Sequence, residues 1–184
     1  MVTAEDYLRQ ERLAETRSEF VNGEVIAMAG GTLIHDEIAS NILGSLKQQL
    51  KGRPCKIFSG NVKVRIDKAN VFHYPDVSGL CGSVLHHDKV RDAYCNPSVI
   101  LEILSPSTET YDRGEKFRHY RLLESLFDYV LVSQERVQVE VLTRGSEGLW
   151  SSVLYNERSD RFTLRTLDCA LTLAEIYEAV EFGG

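Results

Sequence analysis

The 184-residue sequence lacks any apolar run long enough to cross a membrane. Its most apolar stretches, residues 99–104 and 129–132, fall well short of the roughly 20 residues that span a bilayer, so they suit buried strands. The N-terminus also lacks the lysines and the apolar core of a secretory signal, and it begins with acidic residues instead. The sequence therefore predicts a protein without a membrane partner that stays in the cytoplasm.

Clustered cysteines are also missing. The four cysteines are Cys55, Cys81, Cys95 and Cys169. No two of them form a Cys-x-x-Cys pair, and zinc ligation needs closer clusters. Because a disulfide framework is not expected without export, the sequence predicts four reduced thiols.

A basic excess is absent too, since the formal net charge is −6. A protein that only coats nucleic acid usually carries a clear excess of lysine and arginine, so this balance argues against a non-specific binder. It argues less against a nuclease, because carboxylates bind metal ions and the basic contact surface can be local. With 43% hydrophobic and 26% charged residues, the composition is that of an ordinary globular protein, and the length predicts one domain over residues 1–184.

Apolar periodicity predicts the order of the secondary structure elements. Helical spacing predicts helices over residues 3–13, 32–50, 112–123 and 171–180. It predicts that Leu13 faces inward on the first helix and that an apolar stripe runs from Ile34 to Leu50 on the second. Alternation and short apolar runs predict strands over residues 62–67, 74–80, 97–104, 127–133, 137–144, 149–155 and 161–164. The alternation over residues 62–67 is typical of a half-buried strand. Asn22-Gly23 between two apolar runs predicts a hairpin over residues 19–26, and the polar residues 82–96 predict a surface loop. This order is typical of an α/β or mixed sheet flanked by helices, and it leaves the topology open.

Two carboxylates stand out in the strand predictions. Glu102 is the lone charge in the apolar run 97–104, on the same strand face as Leu104. A buried carboxylate needs a partner, which is either a metal ion or an arginine. Asp76 is likewise the lone charge of the run 74–80, although an aspartate after a proline at a strand end is also a common turn feature.

These acids predict a site for a hard cation. On adjacent strands, Asp76 and Glu102 would offer carboxylate oxygens suited to Mg²⁺ or Mn²⁺, and the backbone carbonyl of Ile103 would add a third ligand. Such an ion acidifies a bound water and neutralises charge that builds on a phosphate.

The predicted helix over residues 112–123 supplies basic groups. Asp112 and Glu115 at its start resemble a capping box. Arg113 and Lys116 would then lie near the first turn, where the helix dipole disfavours cations unless nearby carboxylates offset it. The basic residues of this helix suit a solvated face or contacts with phosphate, and Arg113 is the candidate for a substrate phosphate contact.

The ordered combination of these residues resembles a known family. It consists of Pro75-Asp76, the segment 102–108 (Glu-Ile-Leu-Ser-Pro-Ser-Thr), Asp112 and Lys116. Further matches are Glu19, Asn22-Gly23-Glu24, Ala29-Gly30-Gly31, His35 and Tyr120. Together they resemble, over nearly the whole chain, a bacterial family of restriction-endonuclease-like proteins within the PD-(D/E)XK nuclease superfamily, long described as a domain of unknown function.

The resemblance implies a restriction-endonuclease-like fold, with a central mixed β-sheet flanked by helices, and a Mg²⁺-dependent site that hydrolyses phosphodiester bonds. The superfamily usually places a lysine two residues after the acid, whereas this chain has Leu104 there. The family has the lysine on the following helix, which points to Lys116. By this resemblance, Asp76 and Glu102 bind the metal, and Lys116 orients or activates the attacking water and stabilises the charge on the phosphate.

Two further residues are carried over as candidates. The resemblance makes His35 an additional metal ligand or substrate contact, while its position near a helix start also suits a local hydrogen bond. Glu19 is a similar additional candidate, and Glu24 is better explained by the hairpin.

Three functions stay open from the sequence. The first is a metal-dependent DNA endonuclease, for which a symmetric homodimer is the simplest way to cut both strands. The second is a nuclease-fold module that binds nucleic acid or a protein without cutting. The third is acid/base chemistry on a sugar by Asp76 and Glu102, which the nearby lysine and the lack of an aromatic cluster disfavour.

Overall fold

The computed structural model describes residues 1–28 and 30–183, so Ala29 of the matching 29–31 segment lies outside the described residues. The strands are β1 (Ser18–Val21), β2 (Glu24–Ala27), β3 (Cys55–Ser59), β4 (Lys63–Ile66), β5 (Val71–His73), β6 (Val77–Cys81), β7 (Ala93–Tyr94), β8 (Val99–Leu104), β9 (Asp128–Ser133), β10 (Val139–Arg144), β11 (Trp150–Tyr155), β12 (Arg161–Leu164) and β13 (Cys169–Thr172). The helices are α1 (Ala4–Glu11), α2 (Leu33–Gln49), α3 (Glu109–Tyr111), α4 (Phe117–Tyr120) and α5 (Leu173–Ile176), with a 3₁₀ turn at Asp67–Ala69. A π-helical segment (Asp112–Lys116) joins α3 to α4, and we call these three pieces the composite helix. Within the described ranges, no helix is both long and apolar enough to cross a membrane.

The strands form mixed sheets. One sheet has the order β11-β10-β9-β8-β6-β3, in which β8 and β9 are parallel and the other neighbours are antiparallel. A second sheet has the order β2-β1-β5-β4-β7, and β12 pairs with β13. The predicted α/β class with a mixed sheet is therefore confirmed, and the second sheet adds to it.

Both faces of β8 are covered by helices. On one face, α2 packs on the strand in a core that includes Ile38, Ile42, Leu46, Val99, Leu101 and Ile103. On the other face, the composite helix packs in a core that includes Ile100, Leu104, Tyr120 and Tyr129. The side chains of β8 alternate between these cores, as the sequence predicts. Glu102 consequently points toward the composite helix.

The first elements form close to their predicted positions. Asn22 and Gly23 adopt positive φ values of 46° and 98°, which confirms the predicted hairpin. Thr3 and Thr32 cap α1 and α2 through their hydroxyls, and the predicted stripe of α2 is buried from Ile38 to Leu50 and partly buried at Ile34. Leu13, which we expected to face inward, is 83% exposed, because α1 ends before it reaches this residue.

The predicted strand over residues 74–80 is wrong at its start. The strand β6 begins only at Val77, and residues 74–76 link it to β5. Pro75 has no N–H to donate to a sheet, which explains the interruption. Asp76 therefore lies on a strand-connecting segment, directly before the strand that pairs with β8.

The strand β4 is buried on both faces rather than half-buried. Lys63 is 5% exposed, and its ammonium lies 3.0 Å from Asp92. Arg65 is 8% exposed and pairs with Asp67 at 2.7 Å. The prediction of a half-buried strand is wrong because alternating charged residues need not face solvent. Lys63 and Arg65 are buried instead, and each is paired with a carboxylate. The predicted loop 82–96 also contains β7, which pairs with β4.

Two helix boundaries differ from the prediction. The composite helix begins at Glu109, because the carbonyl of Ser105 accepts hydrogen bonds from the N–H groups of Thr108 and Glu109 and closes the first turn. Asp112 is therefore inside the helix, and the predicted capping box is wrong. The predicted helix 171–180 begins instead in β13, and α5 starts after Thr172, which forms a capping box with Glu175.

The cysteines correct the prediction of four reduced thiols. Cys55 and Cys81 form a disulfide, while Cys95 and Cys169 are free. The reason is the register of two strands, since β3 and β6 place Cys55 directly opposite Cys81 with Cα atoms 3.9 Å apart. Their separation of 26 residues in the sequence gave no sign of this pairing.

The pairing of β6 with β3 depends on a glycine. A Cβ on Gly79 would lie 2.7 Å from the Ile57 side chain and 2.9 Å from the Lys56 carbonyl oxygen. We expect Gly79→Ala to lower the free energy of unfolding by about 1–3 kcal/mol, because the strands must move apart. We expect Gly44→Ala on α2, where nothing lies within 4 Å, to raise it by up to about 1 kcal/mol. Urea unfolding measures both, and a Gly79→Ala protein as stable as wild type would contradict this account.

Candidate active site

Glu102 lies at the centre of a buried cluster of charged side chains. It is 2% exposed, and its Oε1 lies 3.0 Å from Nζ of Lys116 and accepts a hydrogen bond from the Tyr120 hydroxyl at 3.1 Å. Its Oε2 accepts the backbone N–H of Asp76 at 3.3 Å. Burial, opposed by Lys116 and reinforced by the neighbouring carboxylates, raises the pKa of Glu102 well above its usual value. The charged form of this carboxylate is therefore costly without a further cation.

Asp76 lies on the segment before β6 and contacts residues of both β8 and α2. Its Oδ2 accepts the N–H of Ile103 at 2.7 Å, and its Oδ1 lies 3.2 Å from Nε2 of His35. The pairing of β6 with β8 includes Val77 with Leu101, so Asp76 stands beside the next part of β8. In a strand, the N–H and C=O of one residue point to the same edge. The carbonyl of Ile103 therefore faces the edge on which Asp76 lies.

Lys116 is the ammonium of the cluster. It ends the π-helical segment, and its Nζ lies 3.0 Å from Glu102, 3.5 Å from Glu19 and 3.5 Å from Asp112. Burial alone would lower the pKa of Lys116, but the carboxylates around it raise the pKa well above its usual value. The side chain is therefore a buried cation with three carboxylate partners. π-helical turns are rare and often lie at functional sites.

Glu19 reaches the same lysine from the other sheet. Its carboxylate accepts the backbone N–H of Tyr74 at 2.9 Å and contacts Nδ1 of His73 at 2.9 Å. Burial opposes its charge, but Lys116 and His73 outweigh burial and lower the pKa of Glu19 to about 2. A carboxylate that is charged can only accept hydrogen bonds, so Nδ1 of His73 carries the proton. Nε2 of His73 in turn lies 3.0 Å from Nδ1 of His119 on α4.

His35 makes the expected local hydrogen bond and also contacts Asp76, while its role as a metal ligand or substrate contact stays a prediction. Its backbone N–H donates to the hydroxyl of Thr32 at the start of α2, which is the local hydrogen bond. Its imidazole contacts Asp76, and this hydrogen bond, partly opposed by burial, raises the pKa of His35. The structure thus brings His35 and Glu19 to the same cluster as Asp76, Glu102 and Lys116.

Arg113 does not join this cluster. Its guanidinium pairs with Glu109 at 2.7 Å and with Glu140 on β10. Both carboxylates compete with a phosphate for the same donors. The contact of Arg113 with a substrate phosphate stays a prediction.

Sequence reasoning missed three residues of the cluster and its surroundings. Asp112 was assigned to a helix cap, although its spacing of four residues from Lys116 was a signal that both share one helix face. His73 is fully buried against Glu19, and His119 contacts it from α4. No local pattern distinguishes these two histidines, because their contacts come from distant elements.

The oxygen atoms of the cluster fit a divalent cation. Asp76, Glu102 and the carbonyl of Ile103 are hard oxygen donors, and the carboxylates of the cluster outnumber its one lysine. Within residues 1–28 and 30–183, no three side chains of His, Cys, Asp or Glu already converge as a metal site. An ion would therefore use two carboxylates, one carbonyl and water molecules, and Mg²⁺ commonly keeps several waters in proteins.

Comparisons with known proteins show the family to which the chain belongs. A family model described as "Putative restriction endonuclease" (Uma2) matches residues 4–174. Two uncharacterized proteins of Synechocystis sp. are similar: slr1290 is 32% identical over 181 residues, covering 98% of this chain and 94% of the relative. The other, sll1609, is 31% identical over 150 residues, covering 82% of this chain and 85% of the relative.

A solved structure shows the same fold. The crystal structure of a "putative nuclease belonging to DUF820" from Anabaena variabilis matches with a TM-score of 0.80, covering 98% of this chain and 100% of that one. At 16% identity, the similarity to this structure shows a shared fold only. The family model and the Synechocystis relatives show similarity of sequence. The chain belongs to the Uma2 family, whose members are described as "Putative restriction endonuclease".

Proposed function

We propose that this protein is a metal-dependent endonuclease that hydrolyses phosphodiester bonds of DNA at the cluster of Asp76, Glu102 and Lys116. One observation carries the proposal. A buried ammonium lies 3.0 Å from Glu102, which also accepts the N–H of Asp76, although Leu104 occupies the position where the superfamily usually has its lysine. Membership of the family supports the same reaction class.

The chemistry of the donor atoms supports a proposal for the residues that would hold the ion. Asp76, Glu102 and the carbonyl of Ile103 would bind Mg²⁺ or Mn²⁺. The carboxylate of Asp76 is held by His35 at Oδ1 and by the N–H of Ile103 at Oδ2. When bound, such an ion lowers the pKa of a coordinated water and neutralises charge on the phosphate. The chain contributes the fixed arrangement of these oxygens.

Lys116 contributes a hydrogen-bond donor of fixed charge. Its three carboxylate contacts hold it as an ammonium, so it donates to a phosphate oxygen or orients the attacking water rather than accepting a proton. Charge that develops on the phosphate in the transition state is stabilised by a donor already in place. Glu19 and Asp112 keep the ammonium in position from two different elements.

Cleavage of both DNA strands needs two sites. We propose that a symmetric homodimer supplies them, since two sites related by a two-fold axis match the antiparallel strands of the duplex.

The test is nicking of supercoiled plasmid DNA in Mg²⁺ or Mn²⁺. We expect Asp76→Asn to reduce nicking by about 100-fold or more, because weaker changes around a metal already cost about 10–100-fold. Asp36→Asn removes an exposed carboxylate of the same helix as His35 and is expected to cut like wild type.

Two outcomes would contradict the proposal. Undiminished nicking by Asp76→Asn would remove Asp76 from the site. Calorimetric binding of Mg²⁺ by wild type, without cleavage of DNA or RNA, would favour the nuclease-fold module that binds without cutting.

A further inference from the structure

A polyanionic substrate must approach a cluster that carries more carboxylates than ammonium groups. A cation at the rim of the site would offset this repulsion and raise the rate and strength of association. Arg113 is engaged by Glu109 and Glu140, and Lys116 is buried inside the cluster rather than at its rim. The substrate therefore needs a different cation.

Arg17 lies next to the segment that carries Asp76. It stands directly before β1 and two residues before Glu19. Its Cζ lies 5.9 Å from the ring centre of Tyr74, two residues before Asp76. Its Nη1 donates to the carbonyl of Gly60.

The turn at Gly60, which binds Arg17, also lies close to Asp76. A Cβ on Gly60 would lie only 3.7 Å from both Cα and the carbonyl oxygen of Asp76. The turn therefore packs directly on the backbone of Asp76. The guanidinium of Arg17 is held at the edge of the metal-ligand segment by this turn and by Tyr74.

The charge of Arg17 is not neutralised by these contacts. A carbonyl and an aromatic ring position a guanidinium but carry no net charge. The side chain is exposed, and no ion pair joins it to a carboxylate in the part of the chain that the structure describes. The planar guanidinium presents a fork of N–H donors that matches two oxygens of a phosphate.

We propose that Arg17 is a substrate-binding residue that contacts a backbone phosphate of the nucleic acid beside the cluster. The inference rests on the proposed function and adds to it the residue that meets the substrate at the rim. Arg17 acts in binding, so its effect is measurable without cleavage.

The experiment measures binding of a fluorescent 20-base-pair DNA duplex by anisotropy in Ca²⁺, over a series of salt concentrations. We expect Arg17→Gln to weaken binding about tenfold and to reduce the slope of log K against log salt by about 0.9, the value of one phosphate contact on duplex DNA. Arg17→Lys should keep the slope, because the charge remains. Lys51→Gln removes the same charge from an exposed position just beyond the C-terminal end of α2, whereas His35 lies near its start; the 17-residue helix is about 25 Å long, and this variant should bind like wild type.

The outcomes separate the two proposals. Binding by wild type with equal salt slopes for Arg17→Gln and Lys51→Gln overturns the role of Arg17 and leaves the proposed function standing. A slope reduced by about 0.9 in Arg17→Gln and kept in Arg17→Lys supports the role of Arg17. If wild type binds no duplex at any salt concentration, both the role of Arg17 and the choice of DNA as substrate are wrong.

Discussion

Replacement of Lys116 by methionine is expected to lower the free energy of unfolding by about 3–5 kcal/mol, the usual cost of removing one partner from a buried ion pair. The physical reason is the charge that remains. Glu19, Glu102 and Asp112 lie within 3.5 Å of the ammonium, and all three are buried. Without Lys116 these carboxylates repel one another in a medium that screens them weakly. The same variant should lose cleavage, because the donor to the phosphate is gone.

Urea unfolding measures this loss, with Lys47→Met as the control. Lys47 is an exposed lysine of α2, so its replacement should change stability by no more than about 0.5 kcal/mol. Addition of Mn²⁺ should stabilise Lys116→Met more than wild type, because the cation meets uncompensated carboxylates. A loss below about 1 kcal/mol for Lys116→Met would show that the cluster does not depend on its ammonium.

The parts of the site that the sequence predicted are those set by local geometry. Glu102 lies in an apolar strand whose alternation shows which face the carboxylate takes. Lys116 follows β8 after a short turn, so its helix must pack near the end of that strand. Leu104 is buried in the core between β8 and the composite helix, which explains why the lysine comes from the helix instead.

The parts that sequence reasoning missed depend on contacts between distant segments. Glu19 meets His73 because β1 and β5 are neighbours in the second sheet, which no local pattern predicted. Cys55 meets Cys81 through the register of β3 and β6. A strand pattern gives the face of a side chain but not the partner strand, so such pairs become visible only in the folded chain.

The composite helix shows a different limit. The residues Asp112 and Glu115 match a capping box, and the helix nevertheless begins at Glu109. The turn at Ser105 and Thr108 provides an earlier start, and the π-helical segment then inserts extra backbone before Lys116. Capping patterns are local preferences, and the packing of Asp112 beside the lysine outweighs this one.

Glu102→Gln is expected to separate metal binding from stability. Glutamine keeps the shape and can still accept the hydrogen bond of Tyr120, but it removes one charged ligand. We expect the affinity for Mn²⁺ to fall by about 100-fold or more and plasmid nicking to fall at least as far. We expect stability to change by less than about 1 kcal/mol, because Glu19 and Asp112 still pair with Lys116 and one buried negative charge is gone.

The different expected stabilities of Glu102→Gln and Lys116→Met follow from the excess of negative charge in the cluster. Where carboxylates exceed cations, loss of the cation is costly and loss of a carboxylate is tolerated, although both residues lie 3.0 Å apart. Calorimetric titration with Mn²⁺ and urea unfolding measure the two effects, and Glu135→Gln, an exposed glutamate, serves as the control. Equal destabilisation by Glu102→Gln and Lys116→Met would show that the pair is held by its own attraction rather than by a site short of positive charge. Unchanged Mn²⁺ affinity in Glu102→Gln would exclude Glu102 as a ligand.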